Sequence, residues 1–133
     1  MGGSVARNDR GRGMIIAVDF DGTVAYDKFP EIGSPIPYAK EVIGRLHNDG
    51  HYIIINTCRA GEDLTNAVNW LLKEGIPFDR VNDNHPDNIR QFNNNTRKIN
   101  ADIYIDDKNV GGFMGWPEAY NWIRDRINNG TIL

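Results

Sequence analysis

A single cysteine, Cys58, stands among the 133 residues of this chain, so no disulfide can form within it. Small secreted domains lean on disulfides, and their absence fits a reducing compartment, with the cytoplasm as the expected location. No apolar run approaches the roughly 20 residues of a membrane span. Positive charge is not in excess: 15 Lys and Arg against 18 Asp and Glu leave a net −3. That balance gives no general electrostatic footing on nucleic acid, although a local basic patch stays open. Histidines are few, and His47, His51 and His85 are too scattered for a zinc site. Cys58 does not suit a cysteine-based phosphatase, whose phosphate loop needs an arginine six positions on, where Leu64 stands. The first apolar strand is not followed by a dinucleotide-type glycine fingerprint. Internal repeats and domain linkers are lacking too.

What is there starts at residue 14. Residues 1–13 are rich in Gly and Arg and are expected to form a mobile tail or a leader ahead of Met14. Arg7, Arg10 and Arg12 would be free there to touch a phosphate-bearing partner. Residues 14–133 are long enough for one core and are read as one domain. Apolar strands are predicted from Ile15 into the Asp19–Asp21 pair, over His51–Asn56 and over Ala101–Ile105, with a short one over Phe78–Val81. Val42, Ile43 and Leu46 follow Pro37 at helical spacing. Leu64, Val68, Leu71 and Leu72 mark a second helix with Gly75 as its C-terminal cap, and Ala119, Tyr120, Ile123 and Ile127 a third over Pro117–Ile127. Ala25–Pro37 reads as a loop, and Asp83–Arg97 as polar chain with a weak helix. Alternating strands and helices predict an α/β fold with a mostly parallel sheet, helices on both faces and all strand C-termini on one edge.

The chemistry-bearing residues collect at that edge. Asp19 and Asp21 end the run Ile15-Ile16-Ala17-Val18-Asp19-Phe20-Asp21-Gly22-Thr23. Residues i and i+2 of a strand share a side, so the two carboxylates are expected to lie together if strand geometry persists. Open parallel sheets bind ligands at this edge, and paired carboxylates suit a hard divalent cation. A strand-end turn in which they only cap backbone groups is the plainer alternative. The second strand delivers Thr57 and Arg59, and the last one Asp106 and Asp107. Lys98 reaches the edge through its loop, with Arg97 and Lys108 as alternatives. Arg59 is either a phosphate contact or a surface charge. Asp106, nearer the strand end, is the better direct metal ligand than Asp107.

In identity and order, Asp19-Phe20-Asp21-Gly22-Thr23, Thr57, Lys98 and Asp106-Asp107 resemble the motifs of the haloacid dehalogenase superfamily, most of whose members are magnesium-dependent phosphohydrolases. The resemblance spans roughly residues 14 to 110. It implies a three-layer Rossmann-like fold with a central mostly parallel sheet. It also implies that Asp19 is the nucleophile that forms an aspartyl-phosphate, and that Asp21 protonates the leaving alcohol and then activates water. Mg²⁺ would be held by Asp19, the backbone carbonyl of Asp21, Asp106 and Asp107, and the phosphoryl oxygens by Thr57 and Lys98, with Arg59 as a further phosphate contact. Neither usual insertion point has room for a cap domain, so the resemblance implies a capless member with an open site. The partner is then a phosphorylated substrate, either an exposed phosphate on a macromolecule or a small metabolite covered by a second subunit of a homo-oligomer. A phosphotransferase or mutase, and a phosphorylatable signalling module, are the competing functions. Asp21 argues against the module, because a second carboxylate speeds loss of the acyl-phosphate.

Overall fold

The computed structural model describes residues 13–129; residues 1–12 of the expected tail, with Arg7, Arg10 and Arg12, lie outside the described residues. The elements are β1 (Ile15–Val18), β2 (Ala25–Lys28), β3 (Glu31–Pro35), α1 (Ala39–Asn48), β4 (Tyr52–Ile55), α2 (Gly61–Glu74), β5 (Arg80–Val81), α3 (Pro86–Phe92), β6 (Ile103–Ile105) and α4 (Trp116–Asn128). Four strands form a parallel sheet in the order β5-β4-β1-β6, and β2 and β3 form a separate antiparallel pair. The architecture is therefore α/β around a central parallel sheet. No helix of the described residues is long and apolar enough to cross a membrane.

β1 is buried along its whole length because it is central, paired to β4 on one side and β6 on the other. Alternate residues of the sheet serve two unequal layers. Ile16, Val18, Ile53, Ile55, Ile103 and Ile105 face the main core, which takes Ile43 and Leu46 from α1, Ala67 and Leu71 from α2, and Trp116 and Ile123 from α4. On the other face Ile15, Ala17 and Ile54 meet Ile99, with Tyr52 and Ala101 packed against them. That face is closed by the chain between β5 and β6, where the His85 ring before α3 meets that of Tyr52 at a 45° tilt, centroids 4.3 Å apart. Three of the four helices share the main core.

Three sequence expectations need correction. Ala25–Pro37 is not a plain loop: it contains the β2–β3 hairpin, whose mostly exposed side chains give no apolar alternation to read. In α2 the buried positions are Ala67 and Leu71, while Leu72 is 65% exposed. The expected cap does form, with Gly75 at φ 75 donating to the Leu72 carbonyl. Third, β1 ends at Val18, so strand geometry does not carry through to Asp21.

Candidate active site

Phe20 builds the turn that carries the two carboxylates. Its side chain is buried in the main core and packs edge-on against Trp70, with ring centroids 5.5 Å apart. Its carbonyl accepts from the N–H groups of Thr23 (3.3 Å), Val24 (2.9 Å) and Ala25 (3.3 Å), which closes the turn. Gly22 sits at φ +88, and a Cβ there would fall 2.3 Å from Asp107 Oδ2, so only glycine lets the turn approach that carboxylate.

Asp19 faces β6. The carboxylates of Asp19, Asp106 and Asp107 each offer an oxygen, and these oxygens lie within 4.8 Å of one another. Buried Thr23 ties the group together: its one O–H donates to Asp19 Oδ2 (3.2 Å), with Asp107 Oδ1 (3.5 Å) as the other acceptor in reach, and its Oγ1 accepts from the Asp107 N–H (3.0 Å). The indole N–H of fully buried Trp116 donates to the Thr23 carbonyl at 2.8 Å, fixing the turn from the core side. Asp106 Oδ1 accepts from the Lys108 N–H at 2.9 Å.

Three convergent carboxylates are electrostatically unfavourable without a cation or a shared proton. Burial, then the neighbouring charge of Asp106 and the hydrogen bond and charge of Asp107, push the Asp19 carboxyl up from 3.8 to about 7. An oxygen-only donor set fits a hard divalent ion. Octahedral Mg²⁺ with bonds of about 2.1 Å separates its ligand oxygens by roughly 3 to 4 Å, compatible with this spacing.

A cleft of about 300 Å³ opens beside the cluster and is lined by Asp19, Asn56, Lys98, Tyr104, Asp106 and Asn109 among others. Lys98 lines this cleft, and its Nζ lies 5.3 Å from the centre of the Tyr104 ring. Lys108 is 78% exposed but also stands at the cluster, its Nζ 3.9 Å from Asp107 Oδ2, while Arg97 is exposed. Thr57 follows β4, its Oγ1 accepting from the Arg59 N–H at 3.1 Å.

Asp21 and Arg59 depart from expectation. Asp21 pairs with Arg59 through two parallel bonds, Nε to Oδ2 at 2.7 Å and Nη2 to Oδ1 at 2.8 Å. Arg59 also donates from Nη2 to the Glu31 carbonyl (2.9 Å) and from Nη1 to those of Pro30 (2.9 Å) and Asp63 (3.3 Å). A guanidinium has five N–H groups, and all five are used by protein acceptors. With its side chain 1% exposed, Arg59 is not a surface charge, and in this arrangement it has no donor left for a phosphate oxygen.

Several residues of the site escaped sequence reasoning. Thr23 was legible only as a turn residue. Asn82, at φ 55 just past β5, clamps Thr57 by accepting from its N–H (2.8 Å) and donating to its carbonyl (3.0 Å). Its place at the C-terminal end of a strand was the available signal. Buried Asn84 holds the Lys98 loop, donating to Asn95 Oδ1 (3.0 Å) and the Thr96 carbonyl (3.1 Å) and accepting from the Asn100 N–H (2.7 Å).

No protein-family model matches the chain, and no curated protein does. Among solved structures it is similar to that of a conserved protein coded by a locus of Bacteroides thetaiotaomicron. The two share 38% sequence identity over 86% of this chain and 92% of that one, with a TM-score of 0.78.

Proposed function

This chain belongs to the same family as that conserved Bacteroides thetaiotaomicron protein, and from its own site residues we propose that it is a Mg²⁺-dependent phosphomonoester hydrolase of the haloacid dehalogenase type. The observation that carries the proposal is the convergence of Asp19, Asp106 and Asp107 within 4.8 Å at the open end of a parallel sheet, beside a cleft that also holds Lys98. Asp19, Asp106 and Asp107 are the side chains that would hold the ion. When bound, Mg²⁺ supplies positive charge against the phosphoryl oxygens and screens Asp19 from its acidic neighbours.

The residues divide the work as follows. Lys98 and Thr57 hold the phosphoryl oxygens, Lys98 adding charge that matters most as the transferring group changes its bonding. An Asp19 carboxylate oxygen attacks phosphorus; the new O–P bond forms as the ester O–P bond breaks, and Asp21 gives its proton to the departing alkoxide. In the second step water attacks the same phosphorus while Asp21 takes a proton from it. The Asp19–phosphate bond then breaks, returning the carboxylate and releasing inorganic phosphate. Covalent capture divides one hard displacement into two easier ones.

Purified protein should hydrolyse 4-nitrophenyl phosphate with Mg²⁺ and lose that activity in EDTA. Rapid acid quench should trap phosphate on Asp19, and Asp19→Asn should abolish turnover. An Asp19→Asn protein that keeps the wild-type rate would overturn the proposal. A long-lived aspartyl-phosphate with no turnover would instead make the chain a signalling module.

A further inference from the structure

The geometry points to Arg59 as the positioning residue for Asp21: its buried guanidinium fixes the proton-carrying carboxylate and locks that carboxylate to the tip of the β2–β3 hairpin. This inference rests on the assignment of Asp21 as proton carrier and deepens it. Three features support it. The Arg59–Asp21 pair is bidentate, at 2.7 and 2.8 Å, so the fork removes the rotational freedom that a lone aspartate keeps. Each Asp21 oxygen still has a lone pair for the travelling proton. The same guanidinium binds Pro30 and Glu31 at the hairpin and Asp63 in the first turn of α2, and it lies 5.4 Å from the centre of the Phe20 ring and 5.0 Å from that of Phe29. The turn of Asp19, the hairpin and α2 therefore meet on one side chain.

Stability alone accounts poorly for this pair. Burying an ion pair seldom outdoes an apolar pair of the same size, because desolvation offsets the attraction. Placement accounts for it better: misaligning a catalytic group by about 1 Å can cost on the order of 100-fold in rate. Lysine cannot reproduce the fork, having a single point charge in place of a planar pair of donors.

The test uses two esters of similar shape, 4-nitrophenyl and 4-nitrobenzyl phosphate. The benzyl alkoxide is far more basic and needs its proton as the bond breaks, whereas nitrophenolate leaves without help. Arg59→Met should lower kcat/KM for the benzyl ester by about 100-fold and for the phenyl ester by less than about tenfold, within the usual range of general acid catalysis. Arg59→Lys should fall between with the same ester dependence, and guanidinium ion in the buffer should restore part of the activity of Arg59→Ala. In an Asp21→Asn background, Arg59→Met should cost nothing further. Equal losses on both esters, losses that multiply with Asp21→Asn, or a raised KM with kcat intact would each overturn the inference. A second measurement needs no change at Arg59. Its side-chain Nε–H should be protected from solvent exchange in the wild type and exposed in Asp21→Asn; an unprotected Nε–H in the wild type overturns it. If Asp19→Asn abolishes turnover but these Arg59 results fail, the hydrolase proposal stands and only the positioning role falls.

Discussion

Replacing Asp19 with Asn should stabilise the metal-free protein at alkaline pH and leave it nearly unchanged in acid. The sign follows from linkage. Asp19 ionises near 3.8 when unfolded and near 7 when folded, so between these values the folded chain binds the extra proton and stability falls as pH rises. Below about pH 4 both states are protonated, and above about pH 7 both are ionised, so the whole loss lies between. The shift from 3.8 to about 7 sets an upper bound of about 4 kcal/mol, and solvent screening of this half-buried group reduces the expected loss to about 1–2 kcal/mol. Urea denaturation in EDTA at about pH 4, 6 and 8 measures it. The Asn variant and the wild type should coincide at the lowest pH and separate by about 1–2 kcal/mol at the highest, the variant being more stable. Mg²⁺ at about 100 times its dissociation constant adds about 2.7 kcal/mol to a protein that binds it only when folded, enough to reverse the order at pH 8. Parallel pH profiles, or a gap that opens toward acid, would refute the reasoning.

Asp21→Asn should act in the opposite direction, destabilising by about 3 kcal/mol at neutral pH because it leaves buried Arg59 without its counter-charge; thermal and urea melts beside Asp19→Asn check the contrast. Gly22→Ala forces a Cβ to within 2.3 Å of Asp107 Oδ2 at a positive φ, so Mg²⁺ affinity should fall at least about tenfold by calorimetry. An unchanged affinity would show that Asp107 is not a ligand. Asn84→Ala removes the hydrogen bonds that hold the Lys98 loop and should cost about 1–3 kcal/mol. Amides of residues 93–100 should then exchange faster with solvent, and inhibition by inorganic phosphate should weaken.

How much of this was legible in the sequence depends on which interaction holds each piece. The strands containing Ile15–Val18, Tyr52–Ile55 and Ile103–Ile105 announce themselves because burial drives them, as do the apolar faces of α1 and α4. The C-terminal edge of such a sheet follows from topology, and with it the neighbourhood of Asp19, Asp106, Asp107 and Lys98. Hydrogen bonding without apolar patterning stayed invisible. The β2–β3 hairpin is held by its backbone ladder and by Arg59, and the chain around Asn84 by side-chain amides, so neither shows a hydrophobic period. Leu72 misled for the converse reason: it fits the helical pattern, yet the shorter Ala67 is the residue that is buried.

The end of β1 at Val18 carries the main lesson about the site. Had the strand continued, Asp19 and Asp21 would share a side and repel each other, and little would distinguish their chemistry. Instead the chain turns over buried Phe20. Asp19 joins Asp106 and Asp107 on the β6 side, among like charges, while Asp21 lies in the grip of Arg59 beside the hairpin. Two carboxylates one residue apart thus occupy opposite electrostatic surroundings, one calling for a cation and the other already paired with one. Identical side chains can take different roles when their environments differ, and the turn gives each carboxylate its own. The residue that separates them is neither acid: it is the phenylalanine whose burial makes the turn.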